Sequence, residues 1–193
     1  MAKILFAITS SFHLVDETIE EMKKLVEKGH NVIPVTSPAV VETNTRCGKG
    51  EDFRLKIEEV TKNNVLTTIA EIEPLYYEGK IDMAVVFPMT GNTLGKISMG
   101  ISDSPASYTA KEAVSHNIPL VIGISTNDGL GFNGVNFAEL INVKNVYVVP
   151  FGQDDHVKKT NSLVAHFDEL SPTIDKAFEG VQHQPLIKEY RKK

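Results

Sequence analysis

Apolar residues along this chain gather into five short runs, and between the runs they recur three or four positions apart. Ile4–Ile8, Asn31–Val35, Asp82–Phe87, Pro119–Ile124 and Asn145–Val149 read as strands. Val15, Ile19, Met22 and Val26 line one face of a helix whose other face is charged, and Gly29 stops it. Further helices are expected at Asp52–Thr61, Pro105–His116, near Phe137–Asn142 and at Pro172–Glu179. Val65–Gly79, interrupted by Pro74, fits a short strand and a turn of helix equally well. Strand and helix signals alternate, which points to an α/β fold with a parallel sheet and helices on its faces. The expected organisation is a single domain over 1–193, with an extended tail from about 180.

One junction breaks the usual pattern. After the apolar run MAVVF comes FPMTGNTLGKISMGISDSP, in which Leu94, Ile97 and Ile101 keep helical spacing. Thr90, Thr93, Ser98, Ser102 and Ser104 crowd a place where bulk is normally buried. The other strand ends carry TSS, TSP, STND and PFGQDD, so four of the five junctions hold Ser or Thr within a residue or two. Ligands of open parallel sheets bind beyond the carboxyl ends of the strands. Any one such residue is ordinarily a helix cap; as a set they point to a ligand.

Composition narrows the partners. The chain has 193 residues, 41% hydrophobic and 23% charged, and a net charge of −5, which argues against nucleic acid or an anionic membrane as main partner. A single cysteine, Cys47, excludes an internal disulfide and argues against structural zinc. The N-terminal apolar run is too short for a signal peptide, and no segment reaches the roughly 20 apolar residues of a membrane span. A cytoplasmic protein is expected.

Thr9, Ser10 and Ser11, with Ser37 as a second contributor, are placed to cradle a phosphate through hydroxyls and backbone N–H groups. Asp16 and Glu17 cut the other way, since they complement the helix dipole themselves. GLGFNG at Gly129–Gly134 matches G-x-G-x-x-G, but Asn127 and Asp128 separate it from the strand, and it reads as a flexible loop over a site. Arg46 suits bidentate pairing with a carboxylate, or is simply a solvated loop residue. Cys47 has basic neighbours but no catalytic pattern around it, the six histidines show no metal-ligand spacing, and Asp154, Asp155, Lys158 and Lys159 fit a site for a polar substrate or a partner, or more simply a solvated loop.

The junction resembles the P-A-S/T-A-N-T motif and following helix of a flavoprotein family. That family includes phosphopantothenoylcysteine decarboxylases, peptidyl-cysteine decarboxylases and flavin prenyltransferases. Pro88, Asn92, Thr93, Lys96, Ile97, Gly100, Ile101 and Asp103 stand where the motif has them, while Met89 and Gly91 replace its two alanines. TNTR with GKGEDF, EIEPL, GISTNDGLGFNGVN and PFGQDD narrow the resemblance to one branch, whose members form one half of a two-component synthase active in sporulation.

The resemblance implies a three-layer Rossmann-like (flavodoxin-type) fold binding FMN, and a homo-oligomer, either a trimer or a dodecamer. It implies a phosphate loop at Thr9, Ser10 and Ser11 with Ser37, a flavin-ring loop at Thr90, Gly91, Asn92 and Thr93, and a further loop at Ser125, Thr126 and Asn127. It also implies an oxidoreductase subunit that works with an NAD(P)-dependent partner subunit on a small dicarboxylate; for orienting that substrate, the residues themselves point to Asn92 and Arg46. The catalytic histidine of the decarboxylases has no counterpart in TTIAEIEPLYYEGKID, and Ser125–Asp128 replaces their P-x-M-N signature. No cysteine stands for their substrate clamp. These departures argue against cysteine decarboxylation; the alternatives are a stand-alone decarboxylase or prenyltransferase and a non-catalytic scaffold subunit.

Overall fold

The computed structural model describes residues 1–189. The chain runs β1 (Lys3–Ile8), α1 (Val15–Glu27), β2 (Asn31–Thr36), α2 (Pro38–Glu42), α3 (Gly50–Thr61), α4 (Ile69–Tyr77), β3 (Met83–Met89) and α5 (Gly91–Ser98). It continues through α6 (Pro105–Ser115), β4 (Leu120–Thr126), α7 (Asn133–Leu140), β5 (Val146–Val148), β6 (Phe151–Gly152), β7 (Leu163–Ala165) and α8 (Leu170–Phe178). Strands β2, β1, β3, β4 and β5 pair in that spatial order, all parallel. The order 2-1-3-4-5 is the flavodoxin-type arrangement.

Both faces of this sheet are covered, so its strands are apolar on nearly every residue. In β1, Ile4, Phe6 and Ile8 enter the core under α1, α3 and α8, whereas Leu5 and Ala7 enter the core under α4 to α7. Strand β3 switches sides. Between Val86 and Met89 it spends one residue more than β4 does between Ile122 and Ile124, and this bulge sends Met89 to the face opposite Phe87. Pro88 suits the bulge because it has no N–H to pair. The Phe87 ring takes the space a side chain at position 123 would need, since a Cβ on Gly123 would lie 2.1 Å from it.

The five expected strands are found, and the sheet has two more. β7 pairs antiparallel with Ser125 and Thr126 at the end of β4, and β6 pairs antiparallel with β7, so the sheet is mixed. Strands of two and three residues have no periodicity to read; long-range pairing creates them. The ambiguous stretch after Val65 contains both elements that were open to it. Leu66 bridges to Val35 beside β2, and Thr68 opens α4 with a reciprocal capping box to Glu71.

Helix α5 ends at Ser98, not beyond Ile101, because Gly100 turns left-handed at φ 70°. Helix α7 begins four residues earlier than the apolar pattern suggests, inside the glycine-rich stretch. Beyond α8, Gln182 lies along β5: its amide accepts from Val148 N–H at 2.7 Å and donates to Val148 C=O at 2.7 Å. Among the described residues no helix is long and apolar enough to cross a membrane.

Candidate functional site

The strand order reverses between β1 and β3, because β1 leads outward to β2 and β3 leads away to β4. The loops leaving these two strands therefore part, and a crevice opens between them. Thr9 ties its two walls together. Its Oγ1 donates to the Pro88 carbonyl at 2.7 Å and accepts from the Thr90 N–H at 3.1 Å, and the residue is 3% exposed. The hydroxyl expected to meet a phosphate is thus used within the protein. Ser10, by contrast, is exposed, and its hydroxyl lies 3.3 Å from that of Ser37 at the end of β2. Ser11 is buried in the loop, and α1 begins only at Val15, after a 3-10 turn over Phe12–Leu14. The TSS segment is therefore a loop ahead of α1 and not its first turn.

On the other wall, Thr90 is extended and precedes α5, but its side chain caps none of the helix's amides. Its hydroxyl instead lies 3.2 Å from that of Thr93. The first-turn N–H groups of Gly91, Asn92 and Thr93 have no intrahelical acceptor and stay open at the crevice end of the helix. Asn92 is exposed there, and Thr93 is buried.

Gly91 stands where no side chain fits. A Cβ there would lie 2.6 Å from Thr126 Oγ1, 2.7 Å from Asn133 Nδ2 and 2.9 Å from Asp128 Oδ1. These three groups form one network: Thr126 donates to Asp128 Oδ1, and the Asn133 amide donates to both oxygens of Asp128 at 3.0 and 2.9 Å. Asn136 donates to Asn133 at 2.9 Å and accepts from Ser98 at 3.0 Å, which carries the network across to α5. The hydrogen bonds from Thr126 and then Asn133 outweigh burial and hold the Asp128 carboxyl below the usual carboxylate range. The missing side chain at position 91 thus brings the start of α5 onto a rigid polar base.

The same network orders GLGFNG. Gly131 and Asn133 N–H groups reach the Asp128 carbonyl at 2.8 and 3.3 Å, Leu130 N–H reaches Asn161 at 2.9 Å, and Gly129 packs against Leu163. The stretch is a fixed turn into α7, not a free flap. Ser125 lies in the ladder with β7, Thr126 is committed to Asp128, and Asn127 is exposed in the turn after β4. Arg46 stands exposed on the tip of the Thr45–Gly48 turn, and Cys47 beside it packs half-buried on the core under α1. In the β6–β7 loop, Ser162 and Lys159 anchor the Asp154 carboxylate.

Sequence reasoning misses three contributors. Asp128 and Asn133 read as plain loop residues, because their pairing is side chain to side chain and caps no helix amide. Thr36, the last residue of β2, is fully buried, and its Oγ1 has no hydrogen-bond partner among the described residues. It stands next to Ser37 as a buried hydroxyl that none of the described residues satisfies.

A crevice at the switch point of a 2-1-3-4-5 sheet, walled by hydroxyls and open amides, places the chain in the flavodoxin-type fold class. Residues 1–166 match the Flavoprotein family, and the chain belongs to it. Within that family it is 41% identical to the B subunit of dipicolinate synthase from Bacillus subtilis (strain 168) over 187 residues, 97% of this chain and 94% of that protein. The crystal structure of the B subunit of dipicolinate synthase from Bacillus halodurans superposes with a TM-score of 0.91 at 37% identity, covering 98% of this chain and 97% of that one. The FMN complex of DmrB from Burkholderia xenovorans, described as a cubic protein cage for redox transfer, shares the fold alone: TM-score 0.68 at 18% identity, covering 92% and 96% of the two chains.

Proposed function

We propose that the crevice holds FMN and that the chain is the flavin-bearing B subunit of a dipicolinate synthase. The carrying observation is the crevice itself, built at the switch point in a chain similar over its whole length to known B subunits. The residues present suit the cofactor. Ser10 and Ser37 offer hydroxyl donors on one side, where a phosphate would sit. The open amides of Gly91, Asn92 and Thr93 offer donors on the other, where the ring's polar edge would lie. Bound FMN would supply a two-electron carrier next to the substrate.

Conversion of hydroxy-tetrahydrodipicolinate to dipicolinate removes one water and two electrons, and a nicotinamide held by the synthase's other component, the A subunit, is the final acceptor in this reading. This chain's own part is to bind and orient. The Asn92 amide, exposed at the start of α5, can donate to a substrate carboxylate, and Arg46 can pair with the second carboxylate. The setting is the cytoplasm of a sporulating cell, and the assembled form is a homo-oligomer docked with the A subunit. The remaining site residues of the resemblance, Ser125, Thr126 and Asn127, form the floor beyond β4; Thr9 and Ser11 shape the loop and leave ligand contact to Ser10.

A visible absorption spectrum of the purified chain, alone and after addition of FMN, tests the first half. A bound-flavin spectrum is expected, with dipicolinate appearing in the ultraviolet only when a nicotinamide is supplied together with the A subunit. Turnover of a carboxylic acid substrate by this chain alone would favour a decarboxylase or prenyltransferase. An absence of flavin binding would reduce the chain to a scaffold.

A further inference from the structure

Away from the crevice, a cleft of about 970 Å3 runs between α1, the segment Phe167–Asp168 and the tail at 185–189. Five carboxylates line it: Glu17, Glu20 and Glu21 from α1, Asp168 opposite, and Glu189 from the tail. Lys24 and Lys188 are also present, but Lys24 binds Glu21 Oε1 at 2.6 Å and Lys188 is taken by Glu169, which lies outside the lining. Glu21 is the unusual member. It is 4% exposed, and its Oε2 has no hydrogen-bond partner among the described residues. A half-satisfied buried carboxylate is costly unless something compensates it. Burial pushes the Glu21 carboxyl up, against the pull of Lys24, and the charges of Asp168 and Glu20 push the same way. The rest of the lining is the His166 ring and an apolar stretch formed by Phe167, Pro185 and the exposed side chain of Ile187.

We propose that this cleft binds an organic cation with an aliphatic stem, an alkylammonium or guanidinium whose head meets Glu21 and Asp168 while its stem lies on Phe167, Pro185 and Ile187. Carboxylates on one side and an apolar wall on the other fit the two halves of such a group. The cation supplies the donors that Glu21 Oε2 lacks and offsets an excess of negative charge that two engaged lysines leave standing. The same chemistry occurs in free polyamines and in lysine or arginine side chains of another protein, and the test separates the two. The inference does not depend on the flavin reading, because the cleft and the crevice share none of the residues named for either.

The experiment is calorimetric titration of the whole chain with 1,5-diaminopentane, representing a free polyamine, and with N-acetylargininamide, representing a protein side chain. Magnesium chloride at matched ionic strength is the control for diffuse charge attraction. Saturable binding of either probe at sub-millimolar affinity is expected. Glu21→Gln should weaken it about tenfold or more, the loss of a charge-assisted hydrogen bond. Glu21→Gln keeps the shape of the side chain, and Asp168→Asn, on the opposite wall, serves as a second and independent variant. Ile187→Ser, at a surface position, should weaken binding by a few fold through the stem. Binding of the diamine alone would assign the site to free polyamines, and binding of the arginine derivative alone to a basic side chain; both support the site. Absence of saturable binding by both probes, equal heats from magnesium, or undiminished affinity in the Glu21 and Asp168 variants would overturn it.

Discussion

Replacing Thr9 by valine is the sharpest test of how the crevice is built. Valine has nearly the shape of threonine but cannot donate to Pro88 or accept from Thr90, the bonds of 2.7 and 3.1 Å that join the ends of β1 and β3. A buried polar group left without a partner costs about 1–3 kcal/mol. The Pro88 carbonyl carries the full penalty, because Pro88 is buried. Thr90 is only partly buried, so water can relieve some of the loss at its N–H. The sum is about 2–4 kcal/mol, a large part of the roughly 5–15 kcal/mol typical of a whole domain. With a urea m-value of about 2 kcal/mol/M, the unfolding midpoint should fall by about 1–2 M. Thr9→Ser keeps both bonds and loses one methyl group, so it should cost only about 1 kcal/mol. Urea titration followed by circular dichroism reads both variants. A valine variant within about 0.5 kcal/mol of the parent, or a serine variant as damaged as the valine one, would refute the claim that Thr9 clamps the crevice.

Other outcomes follow from neighbouring groups. Gly91→Ala places a Cβ 2.6 Å from Thr126 Oγ1 and must break the Asp128 network, so thermal denaturation should report a loss of about 1–3 kcal/mol together with weaker FMN retention. Asp128 has a lowered carboxyl in the folded chain, so its contribution is present above its unfolded value and is lost as pH falls through the folded one. Asp128→Asn should therefore flatten the acid limb of the stability–pH profile, and an unchanged limb would contradict that assignment. Asn92→Asp sets a carboxylate where the ring's carbonyl oxygens would lie, and gel filtration should recover less flavin with the protein. Gln182→Ala removes both bonds to Val148 and should cost about 1–3 kcal/mol in urea unfolding.

The parallel layer is legible in the sequence because its strands are buried on both faces, which leaves an unbroken apolar run such as ILFAI or MAVVFPM. Crevice-forming junctions are legible for a related reason: small polar residues directly after such runs are conspicuous. What cannot be read is the partner of each hydroxyl. Thr9 and Ser10 are adjacent and chemically alike, yet the first is consumed by a bond 79 residues away and the second faces Ser37. That difference is set by the β3 bulge, which turns on one extra residue around Pro88 and has no periodic signature. GLGFNG reads as free chain because glycines usually mark flexibility, whereas here Gly129 is the close-packing point for Leu163.

The two margins of the parallel sheet restrict how copies of this protein can meet. On one margin Leu66 accepts from Thr36 and donates to Pro34, both at 2.9 Å, and Pro34 itself has no amide hydrogen to offer. On the other, a single glutamine amide imitates a peptide unit against Val148. Each margin is occupied by a fragment too small to be called a strand, yet sufficient to take up backbone groups that a neighbouring molecule would otherwise seek. Growth by joining sheets end to end is closed off at the places where it would begin. A second copy approaching either margin meets backbone groups that the chain has already paired with itself.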